Sequence, residues 1–219
     1  MQTRGLLCGE LEQIRRELTL MAARTEENLG KSLALIKSGD RELAKEIKAS
    51  SKIVDAMQLK IEDMAIALIA TQQPVASDLR ELITVFKLTS NIERIDDHGV
   101  HLAKASLKLA SRPPFRCYKR IELMAQTGLE MFRAALAAYI AQDAAAAREA
   151  AALDDKIDEE HKALTEEVLA LMREKPGLVK AASRLLRLSG YMERLGDHVT
   201  NMCEGIIFMI EGRHEELNQ

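Results

Sequence analysis

The segment KLTSNIERIDDH at 87–98 recurs as RLSGYMERLGDH at 187–198, an offset of 100 residues. Upstream the two copies continue at an offset of 103, which pairs Met21 with Met124, Asp40 with Asp143 and Asp55 with Asp158. The difference of three residues is absorbed near Pro74 and Pro176, in connections that change length at little entropic cost. A chain made of two copies of one unit folds as two copies of one structure, and neighbouring copies bury the faces that a single copy leaves open.

The unit is helical. Ala, Leu, Glu, Lys and Arg dominate, aromatic residues are 3%, Trp is absent, and no β-branched run reaches strand length. All four prolines (Pro74, Pro113, Pro114, Pro176) sit where the helical pattern stops, because proline lacks the amide donor a helix interior needs. Two further breaks, at 38–40 and 142–143, each end in an Asp suited to cap the next helix. In the first helix Leu11, Ile14, Leu18, Met21, Leu29, Leu33 and Ile36 keep to one stripe. This predicts six helices at 9–37, 40–71, 75–110, 116–141, 143–174 and 177–211, the longest about 45 Å at 1.5 Å per residue. The expected architecture is all-α: two tandem, pseudo-symmetric three-helix bundles, repeat one over 1–111 and repeat two over 112–219.

Charge and hydropathy narrow the function classes. A net charge of −3 and a pI of about 6.0 provide no positive field for nucleic acid. The apolar runs at 64–70 and 206–210 are far shorter than the roughly 20 residues that cross a bilayer. Cys8, Cys117 and Cys203 are odd in number and form no C-x-x-C pair, which fits a reduced compartment. The sequence around Leu6-Leu7-Cys8-Gly9 resembles a lipoprotein cleavage site, but no apolar region of adequate length precedes it. A cytoplasmic location is the expectation.

Carboxylates carry the most distinctive chemistry. Glu93 and Asp97 stand four apart, as do Glu193 and Asp197, so each pair lies on one helix face and repels unless a positive charge intervenes. Asp154 and Asp158 repeat the spacing in the preceding helix of repeat two, where repeat one has Ser51 and Asp55. If these faces pack together, repeat two offers four carboxylates and repeat one three. Hard oxygen clusters suit Mg²⁺, Ca²⁺, Mn²⁺ or iron. Solvated acidic pairs are also common on helix surfaces, and recurrence in both repeats is what favours a site. On the same geometry His101 and Asn201 extend the lines of acids, while His98 and His198 fall off them and suit packing or polar surface roles. Asp78 favours the dipole of its helix, and Arg80 has an acid or a partner to meet.

The paired IERIDD and MERLGD segments, ending at Asp97 and Asp197, resemble the E-R-I-G-D signature that closes each repeat of PhoU proteins. QPVASDLR at 73–80 is similar to the family's Q-P-x-A-x-D-L-R segment. The resemblance runs from about residue 10 to 211. It implies two three-helix bundles carrying multinuclear clusters of divalent or trivalent metal (iron, zinc, manganese or magnesium) on E/D-x-x-x-D motifs. Its ligand positions here are Asp55, Glu93 and Asp97 in repeat one and Asp154, Asp158, Glu193 and Asp197 in repeat two. Two departures stand out: Ser51 takes the place of an Asp, and Asp96 that of the signature glycine. On that count the first face has lost one ligand and gained an off-face charge, so the second is expected to hold metal more firmly.

The resemblance further implies a regulatory adaptor with no enzymatic activity. Such proteins couple the ATPase subunit of the phosphate ABC transporter to a phosphate-sensing histidine kinase and keep the starvation response off. They meet the membrane only through those partners, and homodimers are compatible with the family. The sequence has no P-loop, dinucleotide turn or nucleophile elbow. One rival is a metal-independent helical scaffold. The other is a di-metal carboxylate oxidase, which needs paired Glu-x-x-His motifs, and here Glu211 to His214 is the only match.

Overall fold

A computed structural model describes residues 2–109 and 118–217. Its regular elements are all helical: α1 (Gln2–Ser38), α2 (Arg41–Gln72), α3 (Ser77–Leu109), α4 (Tyr118–Ala141), α5 (Ala144–Ala151), α6 (Asp154–Glu174) and α7 (Val179–Glu211), with a 3₁₀ turn at Pro176–Leu178 before α7. The expected junction between repeats at 111/112, with Pro113, Pro114 and Cys117, lies outside the described residues.

The breaks form as the local chemistry dictates. Gly39 takes φ +62°, and Asp40 then accepts from the amides of Glu42 and Leu43 at the start of α2. Asp143 does the same for Ala145 and Ala146 at 2.9 and 3.0 Å. Each cap satisfies amides that the first helical turn leaves without partners. Gln73 closes α2 in the left-handed region, with its amide on the Ile69 carbonyl, and Pro74 follows.

Two boundaries differ from expectation. Helix α1 begins at Gln2, a turn or more early, and Leu7 and Leu11 extend its apolar stripe into the core. The fifth predicted helix is not continuous. At Ala152 and Leu153 the ladder tightens, with Leu153 N donating to Ala150 O at 3.2 Å and Lys156 N to Leu153 O at 3.2 Å. These are 3₁₀-type bonds, and they start a new helix at Asp154.

Helices α1, α2 and α3 pack on one another as the first bundle, and α4, α5/α6 and α7 as the second. The bundles join chiefly through α3 against α7, and also through α1 against α4. One core cluster runs through both, from Leu18, Ile61 and Leu88 in the first to Phe132, Ile157 and Ile206 in the second. Buried Ala144, Ala147, Ala150 and Ala151 let the short α5 approach its neighbours closely.

The interface between bundles is polar at its centre. His98 and His198, equivalent in the two repeats, stack with centroids 5.5 Å apart, and His101 stacks on Tyr191 at 4.9 Å. Asn91 Oδ1 lies 2.9 Å from His198 Nδ1. Burial and the neighbouring imidazoles hold His98 neutral, lowering its pKa to about 4. The packing role expected of His98 and His198 is therefore met. His101, placed on the line of Glu93 and Asp97 by spacing, is instead turned onto Tyr191 across the interface.

Candidate functional site

Each bundle presents one acidic face where its second and third helices meet. In repeat two the face joins α6 and α7. Asp154 is buried at 7% exposure, Glu193 and Asp197 are half-buried, and Asp158 is exposed. Asp154, Asp155, Asp158 and Asp197 line a cavity of about 360 Å³ together with Arg148 and Leu217. Arg148 does not neutralise the aspartates. Its guanidinium is held by Glu211 at 2.9 Å and by Glu215 at 2.6–3.2 Å, in the segment that folds back after α7.

The acids raise one another's proton affinity. Burial is the main cause at Asp154, whose pKa rises to about 7; Asp158, Asp197 and Glu193 add to it, and the Thr200 hydroxyl, donating to Oδ2 at 3.0 Å, opposes it. Asp158 and Glu193 are also raised, first by burial and then by Asp197, with His161 pulling both down. His161 is turned to the Ser189 hydroxyl at 2.7 Å.

Asp154 owes its inward position to its neighbours. The tightened turn at 152–153 ends on it, and its carboxylate fills the hollow above Gly196, where a Cβ would stand 2.0 Å from Oδ1. The signature glycine therefore makes room for this side chain.

Repeat one has the same face with the parts exchanged. Asp55 on α2 is exposed, and Glu93 and Asp97 on α3 are half-buried. Burial raises Glu93, and Asp97, Asp55 and Asp96 raise it further, while Arg94 at 3.5 Å opposes them. Asp96 lies off the face, as its spacing implies, and is buried: it is 1% exposed, with Oδ1 accepting from Asn28 Nδ2 of α1 at 2.7 Å. Burial pushes it up to about 6, against the polar contacts of Asn28 and Ser51. Spacing correctly took Asp96 off the line of Glu93 and Asp97, but its direction leads to the core and not to solvent. The aligned columns held the missed signal: Ser51 faces Asp96 where Asp154 faces Gly196.

All seven acids named from the sequence thus fall on these two faces. Among the described residues, no group of three or more His, Cys, Asp or Glu already surrounds a point that one ion could fill. The donor set nevertheless fits a hard cation in its chemistry. All donors are carboxylate oxygens, and Asp154 Oδ1 is buried with no hydrogen-bond partner. Gathering the donors requires rotation of Asp55, Glu93 and Asp97 on the first face, and of Asp158, Glu193 and Asp197 about a fixed Asp154 on the second; all six are exposed or half-buried, and their rotamers can change.

The Glu-x-x-His stretch that suits a di-metal oxidase is otherwise engaged. Glu211 pairs with Arg148 and Arg213, α7 ends there with Gly212 at φ +72°, and His214 stacks on Phe208 at 4.2 Å. Arg80 lies over Gly212 at the C-terminal end of α7, where the helix dipole favours a cation. No described helix is long and apolar enough to cross a membrane. Of the two described cysteines, Cys8 is exposed and Cys203 buried, its thiol pushed up to about 12 by burial.

The PhoU domain family matches residues 18–106 and again 121–206. A phosphate-specific transport system accessory protein PhoU homolog from Clostridium acetobutylicum is 34% identical over 217 residues, 99% of each chain. The Escherichia coli phosphate-specific transport system accessory protein PhoU is 26% identical over 209 residues, 95% of this chain and 87% of that one. The crystal structure of PhoU from Pseudomonas aeruginosa superposes with a TM-score of 0.89 at 27% identity, covering 94% of this chain and 99% of that one. That of the phosphate transport system regulatory protein PhoU from Streptococcus pneumoniae gives 0.87, also at 27% identity, covering 95% and 99%.

Proposed function

This chain belongs to the PhoU family, and from that premise we propose that it is a regulatory accessory protein of phosphate-specific transport. The observation that carries the reading is the end-to-end match to a protein named for that role, 99% of both chains at 34% identity. In finer detail, it is a cytoplasmic adaptor that links the ATPase subunit of a phosphate ABC transporter to a phosphate-sensing histidine kinase. It represses uptake and the starvation response when phosphate is plentiful. The long helical surfaces of two rigid bundles suit simultaneous contact with two partners, and the role requires no catalysis.

The acidic faces are where this reading locates metal. Asp55, Glu93 and Asp97 hold cations on one face, and Asp154, Asp158, Glu193 and Asp197 on the other. A bound cation supplies positive charge that offsets the mutual repulsion of these acids, which burial otherwise strengthens. The residues themselves orient the face: Thr200 fixes one Asp154 oxygen, and the Arg148 pairs with Glu211 and Glu215 hold the C-terminal segment beside the cavity.

Biolayer interferometry with the purified ATPase subunit and the cytoplasmic part of the kinase tests the adaptor. Saturable binding to both is the expected result, and no binding to either contradicts it. The metal-independent scaffold is separated by E193A/D197A: lost partner binding at unchanged metal content favours the scaffold.

A further inference from the structure

We propose that the cleft where α1, the start of α3 and the end of α4 meet binds an amphiphilic organic anion, a carboxylate or phosphate carried on a linear apolar chain. The cleft shares no residue with the two acidic faces and is independent of the metal reading.

Two hollows form the cleft. The larger, of about 710 Å³, is lined by Glu12, Arg15, Arg16 and Leu20 of α1, Glu81 of α3 and Ile140 of α4. The second, of about 260 Å³, continues between α1 and α4 over Ala22, Ala23, Leu136 and Ala137 towards the ion pair of Arg133 with Glu26. Thr19, Tyr139 and Ile140 line both, so the hollows are continuous. The larger alone has the volume of a small-molecule site, and such sites favour junctions between packed units. Its rim leaves apolar side chains in water, Leu20 at 59% and Ile140 at 65% exposure. From Arg16 to Glu26 helix α1 rises about 15 Å, which matches an extended chain of about twelve carbons.

The polar groups select the charge of the head. Buried Glu81 gives both oxygens to Arg15, accepting from Nε at 2.5 Å and from Nη2 at 2.7 Å. That pair fixes the guanidinium and leaves Nη1 outside it, on a side chain 44% exposed. Arg16 adds a second cation at the rim, where Glu12 at 3.3 Å offsets it only weakly, because both side chains are well exposed. Tyr139 is 5% exposed, and its hydroxyl is buried without a partner. Burial, then the Glu81 carboxylate, keeps that hydroxyl protonated and a donor. The buried acceptor of the cleft is thus fully used, and what remains at its floor donates. An anionic head satisfies these donors, and an ammonium satisfies none. The repeat itself does not demand the polar set: the matching positions carry Tyr118 for Arg15, Ala181 for Glu81 and Ile36 for Tyr139.

Isothermal titration calorimetry of the full chain with monomeric dodecanoate tests the site, with dodecyltrimethylammonium as the cation on the same tail. One dodecanoate per chain is expected, and the ammonium should bind at least about tenfold more weakly. Ile140→Glu and Ile140→Lys remove the same exposed apolar contact and place opposite charges at the rim. I140E should bind dodecanoate at least about fivefold more weakly than I140K. Tyr139→Phe should weaken it about three- to tenfold, the loss of one hydrogen bond, without lowering Tm. Sedimentation with phosphatidylglycerol vesicles identifies the source of the chain: wild type carried down and I140E left behind assigns a membrane lipid, whereas wild type left in the supernatant assigns a free amphiphile. No saturable dodecanoate binding up to about 1 mM, equal affinity for the two amphiphiles, or folded I140E that binds as I140K does, overturns the proposal.

Discussion

Gly196→Ala places a methyl group where the structure has no room for one. The new Cβ would stand 2.0 Å from Asp154 Oδ1 and 3.1 Å from both Asp154 Cγ and Ile157 Cδ1. Ordinary carbon–oxygen contact requires more than about 3 Å, so the carboxylate has to retreat by about 1 Å or more. Retreat strains or breaks the 3.0 Å bond from Thr200, and hydrogen bonds to charged groups contribute about 1.5–3 kcal/mol. Overpacking adds about 1–3 kcal/mol where relaxation is incomplete. Partial relaxation shares the two costs, and a loss of about 3 kcal/mol is expected, which for a chain of this size lowers Tm by roughly 6–12 °C. Two comparisons isolate the cause. Gly190→Ala, on the same helix with nothing within 4 Å of the new Cβ, should be neutral or stabilising by about 0.5–1 kcal/mol. D154S/G196A should regain most of the loss, giving a coupling energy above about 1.5 kcal/mol in a double-mutant cycle. Thermal melts by circular dichroism with chelator present provide the data. G196A within about 0.5 kcal/mol of wild type, or a cycle that is simply additive, would refute the account of how the two repeats seat their carboxylates.

Further outcomes follow from other contacts. Asp154 has a folded pKa of about 7, raised from 3.8, so its contribution to stability is full at low pH and is lost progressively as pH rises from about 4 to about 7. His98, lowered from 6.5 to about 4, acts in the opposite sense over most of that range, so in metal-free buffer D154N should make Tm rise more steeply with pH below about 6.5 and remove the fall that remains just above it. Tyr139→Phe should be neutral or stabilising by about 1 kcal/mol in urea unfolding, because the hydroxyl it removes is buried without a partner. Arg15→Ala should cost about 1–3 kcal/mol in the same assay, because Glu81, nearly buried, accepts from Arg15 Nε at 2.5 Å and from its terminal nitrogen at 2.7 Å. D154N/D158N/E193Q/D197N should remove at least about half of the Mn²⁺ that the wild-type chain retains, read by metal analysis after dialysis.

The fold was legible because two independent periodicities agree. The repeat divides the chain into equal units, and the 3.6-residue stripe of Leu11 through Ile36 gives each helix a face to bury. Breaks that depend on a single residue, such as the caps at Asp40 and Asp143, could also be read directly. The interruption of the fifth helix could not, since Ala152 and Leu153 are both helix formers and their tightening belongs to the seating of Asp154 against α7. For the site, the four-residue spacing found the acids of each face and missed the element between them. Asp96 points about 100° from Asp97, and only the packing of α1 and α2 against α3 shows that this direction is inward. The histidines illustrate the same limit. Their equivalence in the repeats is written in the sequence, whereas the stacking of His98 on His198 follows from how α3 meets α7.

Alkaline phosphatase reporter activity in a phosphate-replete host lacking this gene, with and without the gene restored, puts the regulatory role to the test most directly. The account predicts derepression on deletion and repression again when the wild-type chain is returned. A reporter that stays silent on deletion, in a host with no second protein of this family, would contradict it.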